Sequence, residues 1–342
     1  MVFHPYQTFD AVTRFVEEAA EDPKVLAIKM TLYRVSSASP IAQALTRAAE
    51  AGKEVSVLVE LQARFDEEAN ITWARALEKV GAHVVYGLVG YKTHCKGCLV
   101  VRQETDGIRR YCHLATGNYN VRTAGYSDIG LFTCRESFGQ DLTELFNLLT
   151  GYTRPQKFNH LLLAPVGLRE QMLGCIRREA EHARAGKPSR IVAKVNSLID
   201  PAIIQELYLA SQAGVQIDLI VRGMCSLRPG LPEISERIRV ISIVDRYLEH
   251  ARIFYFQNGG ERVYLLASAD LMPRNLDRRV EIAFPALDPG LRTRLKQILE
   301  TQLADDVKGW WMQSDGSYHR PSSTGSSRLR SQDKLYEILV DG

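Results

Sequence analysis

A chain of 342 residues is longer than one hydrophobic core usually fills, so two domains are expected. Hydrophobic residues make up 45% and charged residues 24%, which excludes a disordered chain, and a net charge of only +3 gives no sign of a nucleic-acid-coating surface. Six cysteines without small-scaffold spacing, no basic-then-apolar leader after Met1, and no apolar run near the roughly 18 residues of a membrane span point to a cytoplasmic setting.

After Pro5, the residues Phe9, Val12, Phe15, Val16 and Ala19 share one face of a predicted helix. A strand follows over 25–30, then an Ala-rich helix over 41–52 closing on Gly52, then a strand over 55–60. The same order returns after Pro165: a helix with Leu168, Met172, Cys175 and Ile176 on one face, a strand over 191–196, a helix over 202–214 closing on Gly214, and a strand over 217–222. Gly52 to Glu60 and Gly214 to Arg222 are both eight residues apart, so the halves form an internal repeat. The pattern breaks over 151–158, which gives domains of 1–155 and 156–342. Continuous apolar strands between helices predict an α/β fold with mixed sheets flanked by helices. Residues 314–331, rich in Ser, Gly and Arg, read as a mobile connection to a last helix over 332–339.

Each half also carries one chemical pattern. The first copy is His94-Cys95-Lys96, then Thr116-Gly117-Asn118, then Asp128; the second is His250-Ala251-Arg252, then Ser268-Ala269-Asp270, then Glu281. A duplicated His with a nearby cation suits phosphoryl chemistry, because one imidazole can attack phosphorus while the other handles a proton or charge. If 91–101 is a strand, His94 and Lys96 point to one side and converge on one phosphate. A solvated surface Lys is the ordinary reading of one such copy, and the second copy argues against it. Asn118 and the 268–270 turn offer donors to phosphate oxygens. Asp128 and Glu281 are either surface acids or the groups that hold an imidazole's other nitrogen.

Arg34, Arg64 and Arg222 each fall just past a strand end, where open α/β sheets bind ligands, and together they would cradle a polyanion; singly, each reads as a surface ion pair. Cys95 and Cys98 lie three apart, on opposite faces of a strand, which argues against zinc. Asp66-Glu67-Glu68 suits a helix N-terminus better than a hydrated metal ion. Neither a Walker loop nor a dinucleotide fingerprint is present.

The twin His halves resemble the phospholipase D superfamily. The strings Gln62-Ala63-Arg64-Phe65-Asp66-Glu67-Glu68 and Asp245-Arg246-Tyr247-Leu248-Glu249-His250, with Thr31-Leu32-Tyr33-Arg34-Val35, Thr116-Gly117-Asn118-Tyr119-Asn120 and Val221-Arg222-Gly223-Met224-Cys225, are similar to the C-terminal half of bacterial polyphosphate kinases of the phosphohistidine type. The resemblance implies two phospholipase D-like α/β domains that reversibly pass the terminal phosphoryl group of ATP to inorganic polyphosphate. By it His94 is the phosphorylated nucleophile, with His250 and Lys96 as catalytic partners. Tyr126, Arg222 and His250 fall where the family contacts ATP, joined by Asn118 and Arg252. Arg34 and Arg64 fall at the family's magnesium (Mg2+) site, where cations would hold phosphate oxygens rather than the metal itself.

The implied partners are ATP or ADP and polyphosphate, without nucleic acid; membrane association stays open, and the full-length protein is expected to be a homo-oligomer. Family members carry further N-terminal domains, so the chain reads as a fragment or a truncated relative. Two alternatives remain at this level: a phospholipase D-type phosphodiesterase with water as acceptor, and a polyphosphate-binding fragment inactive without those domains.

Overall fold

Apolar runs punctuated by Gly and Pro become strands and helices in the computed structural model, which describes residues 1–33, 39–60, 67–88, 90–120, 123, 125–151, 157–321 and 328–340, the side chains of 67–70 excepted. Arg34, Arg64 and Asp66 lie outside the described residues. Backbone contacts divide the chain into two compact units. The first comprises Met1–Gly125, Ile129–Leu161 and Arg278–Val280, and the second Tyr126–Asp128, Leu162–Asp277 and Glu281–Gly342. The expected break at 155/156 falls within residues outside those described, and the contact division changes over at Leu161 and Leu162.

From β1 to α4 the elements are β1 (Val2–His4), α1 (Asp10–Glu21), β2 (Val25–Leu32), α2 (Pro40–Glu50), β3 (Glu54–Val59), α3 (Glu67–Lys79), β4 (His83–Val85), β5 (Lys92–Thr93), β6 (Gly97–Glu104), β7 (Gly107–Ala115), β8 (Tyr126–Thr133) and α4 (Glu136–Leu149). The first sheet runs β1-β8-β7-β6-β2-β3-β4. Strands β2, β3 and β4 are parallel, and β6, β7 and β8 continue antiparallel. Val12 and Val16 of α1, Ile41 and Leu45 of α2, and Trp73 and Leu77 of α3 join Ile28, Met30, Val55 and Val57 in one core. Gly52 closes α2 at φ +80°, a left-handed conformation that side-chain-bearing residues avoid.

From β9 onward the elements are β9 (Leu162–Ala164), α5 (Leu168–Arg184), β10 (Arg190–Val195), α6 (Pro201–Gln212), β11 (Gln216–Val221), β12 (Ile238–Ile243), β13 (Leu248–Glu249), β14 (Arg252–Phe256), β15 (Val263–Ala267), α7 (Pro273–Asp277), β16 (Arg279–Pro285), α8 (Pro289–Leu303), β17 (Gly309–Met312), β18 (Tyr318–His319) and α9 (Ser331–Val340). The second sheet runs β18-β17-β12-β11-β10-β14-β15-β16, with β9 on β16. Its core gathers Met172, Ile176, Ile203 and Leu207 against Ile191, Ala193, Ile217, Leu219, Phe254 and Phe256. Register makes the repeat explicit. Thr31 pairs with Leu58 in the first unit as Lys194 pairs with Ile220 in the second, so Glu60 and Arg222 are equivalents.

Two expectations need correction. Residues 94–96 are not strand: β5 stops at Thr93 and β6 starts at Gly97, so strand alternation does not set the directions of His94 and Lys96. The stretch 314–331 is not all connection either. Tyr318 pairs with Met312 in an antiparallel hairpin, and Ser331 already opens α9.

Candidate active site

Both histidines sit at the same kind of turn. In the first unit, β5 runs parallel to Arg279–Val280; the chain then leaves the strand, and His94 N–H and Cys95 N–H both donate to the Val280 carbonyl at 2.9 Å. In the second unit, β13 runs parallel to Tyr126 and Ser127, and the N–H groups of His250 and Ala251 donate to the Ser127 carbonyl at 3.2 and 2.7 Å. One carbonyl taking two successive N–H groups bends the chain sharply and puts the imidazole at the bend. The turns downstream repeat as well. Ile129 N–H donates to the Thr116 hydroxyl, and Ile282 N–H to the Ser268 hydroxyl, each at 3.0 Å.

Around His94, the Thr31 hydroxyl donates to the Cys95 carbonyl at 2.9 Å and accepts from Gly97 N–H at 3.1 Å. Glu60 accepts from Thr93 N–H at 2.9 Å, so the backbone is held on both sides of the imidazole. The Tyr33 ring meets the His94 ring edge-on, with centroids 6.1 Å apart. Lys96 is buried, and its ammonium donates to the His94 carbonyl. It touches the backbone that carries the nucleophile candidate.

Around His250 the geometry is tighter. Its Nδ1 lies 2.7 Å from Asp128 Oδ2, so the acid of the first repeat copy holds the imidazole of the second. Arg252, nearly fully buried, lies 3.2 Å from His250 Nε2 and donates to the His250 carbonyl at 2.8 Å. Asp270 takes Arg252 in two bonds, of 3.2 and 3.0 Å, and accepts Asn196 N–H at 2.7 Å. Asn196 in turn donates to the His250 carbonyl at 3.2 Å and accepts from Arg222 Nε at 2.5 Å. The Tyr126 and His250 rings are 5.5 Å apart. Arg222, Arg252, Asp128, Asp270 and His250 thus form one connected network, with Tyr126 against its ring.

Charge in this network is unevenly met. Burial pushes the Asp270 carboxyl up, but Arg252 and Asn196 outweigh it and hold the group well below the usual carboxylate range. Arg222 moves the other way. Burial and then repulsion from Arg252 lower its proton affinity, against the pull of Asp270 and Asp128. A guanidinium in that position favours an incoming anion, since a phosphate oxygen would restore what burial removes.

Other sequence candidates are placed less directly. Glu281 is fully buried and accepts from Asn275 Nδ2 at 2.6 Å and from the Ser268 hydroxyl, so that hydroxyl points inward rather than to a ligand. Asn118 keeps a buried Oδ1 with no hydrogen-bond partner among the described residues. Among the described residues no group of three or more His, Cys, Asp or Glu side chains could hold a metal. Thr31, Glu60, Asn196 and Ser127 were not singled out in the sequence. A faint signal existed for three of them: Thr31, Glu60 and Asn196 are polar residues within or just after apolar strand runs.

Residues 1–155 match the family model described as polyphosphate kinase C-terminal domain 1, and residues 161–332 match polyphosphate kinase C-terminal domain 2. A polyphosphate kinase of Thermosynechococcus vestitus is 60% identical over 322 residues, which cover 94% of this chain and 44% of that protein. The crystal structure of polyphosphate kinase from Porphyromonas gingivalis superposes with a TM-score of 0.93 at 40% identity, over 99% of this chain and 52% of that one. A phosphatidylserine synthase of Haemophilus influenzae shares the fold at a TM-score of 0.59 and 10% identity, over 96% of this chain and 90% of that one. The chain therefore spans about half the length of the kinases it matches.

Proposed function

The chain belongs to the polyphosphate kinase family through both of its C-terminal domains, and on that premise we propose that it carries the centre where the terminal phosphoryl group of ATP passes reversibly to inorganic polyphosphate. The observation that carries this reading is the His250–Asp128–Arg252 network, set on a turn whose counterpart bears His94.

In the proposed reaction a His94 ring nitrogen attacks the γ-phosphorus; the N–P bond forms as the bond to the ADP oxygen breaks. A terminal oxygen of polyphosphate then attacks the phosphoimidazole, lengthening the polymer and releasing His94. A covalent step divides one transfer between two repelling polyanions into two easier ones. Lys96 acts on the His94 backbone and adds a buried positive charge beside it. Asp128 at Nδ1 orients His250, whose Nε2, with Arg252 at 3.2 Å, protonates the leaving oxygen or stabilises its charge. Arg222 and Arg252, with Arg34 and Arg64, hold phosphate oxygens, where most phosphoryl-transfer catalysis resides. Tyr126, against the His250 ring, and Asn118, through its amide N–H groups, complete the proposed ATP contacts.

Among the described residues, magnesium (Mg2+) does not fit as a protein-caged ion. Asp128, Asp270 and Glu281 are bonded to an imidazole, a guanidinium and an amide, and Arg34 and Arg64 are cations. The ion would enter on the nucleotide's own phosphates. The six cysteines are unbridged, in keeping with a cytoplasmic site, and no helix among the described residues is long and apolar enough to cross a membrane. For a protein of the relatives' full length we propose a homo-oligomer.

The test is incubation with γ-labelled ATP and magnesium. The expected product is acid-labile, alkali-stable label on His94, chased off by ADP or into polyphosphate, and absent in His94→Ala. Label that persists in that variant removes His94 as the nucleophile.

A further inference from the structure

Glu249, the residue before His250, is 2% exposed and accepts from four side chains. Lys194 Nζ (2.9 Å), Ser127 Oγ (2.9 Å) and Gln302 Nε2 (2.6 Å) reach one carboxylate oxygen, and Gln332 Nε2 (2.7 Å) reaches the other. A carboxylate has about four acceptor positions, and four donors meet this one. Lys194, 1% exposed, supplies the matching charge. A carboxylate so engaged holds its partners in place.

The partners decide what is held. Ser127 adjoins Asp128, and its carbonyl takes the N–H groups of His250 and Ala251. Glu249 therefore ties the strand that bears Asp128 to the segment that bears His250 a second time, through side chains. Gln332, on α9, does more than touch the carboxylate. Its amide accepts from Tyr247 N–H at 3.0 Å and donates to the Tyr247 carbonyl at 2.9 Å, pairing with that backbone as a neighbouring strand would. The helix start is itself fixed: Arg330 pairs with Asp245 at 2.8 Å, and Ser331 N–H donates to Asp305 at 2.8 Å.

We propose that Glu249 and Gln332 form a positioning clamp that sets the His250–Asp128 hydrogen bond, which makes the C-terminal helix α9 a working part of the centre. Only the catalytic consequence rests on the phosphoryl-transfer reading; the geometric claim does not.

Gln332→Leu keeps the side-chain volume and deletes three hydrogen bonds. Ser127→Ala cuts the clamp on the Asp128 side and leaves α9 bound. Glu249→Gln is the less useful variant, because it strands a buried lysine and invites unfolding. The readout is the downfield Nδ1 proton resonance of His250 in protein with 15N-labelled histidine, assigned by its loss in Asp128→Asn. The expected result is loss or upfield movement of that resonance in both variants with amide dispersion retained, and kcat about ten-fold lower at a KM for ATP within about two-fold. A resonance at the wild-type position in the folded variants overturns the clamp, whatever the enzyme does. If Gln332→Leu fails to fold, Ser127→Ala decides alone. Loss of the resonance in a chain that never accepts label from ATP upholds the clamp and removes only the reading that this chain transfers phosphoryl groups by itself.

Discussion

Two aspartates in one network should fail in different ways. Asp128 meets His250 Nδ1 at 2.7 Å. Asp128→Asn keeps the shape but presents an amide that can hold the wrong imidazole tautomer. The expected result is a fall in phosphoryl transfer of roughly 10²-fold or more with a near-native melting temperature. Asp270 forms an ion pair of 3.0 Å with Arg252, whose side chain is 4% exposed. Asp270→Ala removes the carboxylate bonded to that buried guanidinium, a loss of about 3–5 kcal/mol. Chemical denaturation of the two variants side by side checks the contrast. Equal destabilisation would mean that Asp128 is as structural as Asp270.

Among elements, the contact between the ends of β10 and β11 is one that a small change would disturb. Gly223, just past β11, donates to the Asn196 carbonyl at 2.8 Å, and a Cβ there would lie 2.7 Å from that same oxygen. Asn196 carries Arg222, Asp270 and the His250 carbonyl, so any backbone shift passes directly into the centre. Gly223→Ala is expected to cost about 1–3 kcal/mol and to weaken ATP binding, measured as a higher KM for ATP and a lower melting temperature. This contact also marks where the sequence stops being readable. The helices and strands of both repeats were legible, because apolar period and Gly caps are local: 41–52 became Pro40–Glu50 and 217–222 became Gln216–Val221. The eight-residue spacing that equates Glu60 with Arg222 returned as strand register. His250 and Arg252 were legible as one copy of a repeated pattern, and Arg222 as an arginine just past a strand end. Their mutual arrangement was not, because Asp128 reaches His250 across 122 residues and Asn196 reaches Asp270 across 74. Nor could local pattern show that 94–96 leaves the strand, since that bend depends on the Val280 carbonyl, far along the chain.

At the scale of the whole molecule, acid should unfold the protein in two stages that start from opposite kinds of group. His113 is buried, with Nδ1 2.9 Å from the Tyr119 hydroxyl and its ring against Phe132, and burial drives its imidazole down to about 3. In the unfolded chain the same group protonates near its ordinary value of about 6.5, so between those values the unfolded state binds the extra proton. Stability therefore falls as pH drops below about 6.5, with one proton worth about 1.4 kcal/mol per pH unit. Asp270 works in a different window. Its folded carboxyl is held low, so its contribution is complete above the unfolded value of about 3.9 and is lost only as pH falls further. His113→Gln, which can still meet Tyr119 but takes no proton, should flatten the melting temperature between pH 6 and 4.5 in this chain (roughly the upper part of the His113 window) and leave the steep loss below pH 4. Other carboxylates move both curves alike, so the difference between the two slopes isolates the histidine. Parallel curves over that range would mean that His113 titrates normally in the folded protein, and that its core opens to water before the fold is lost.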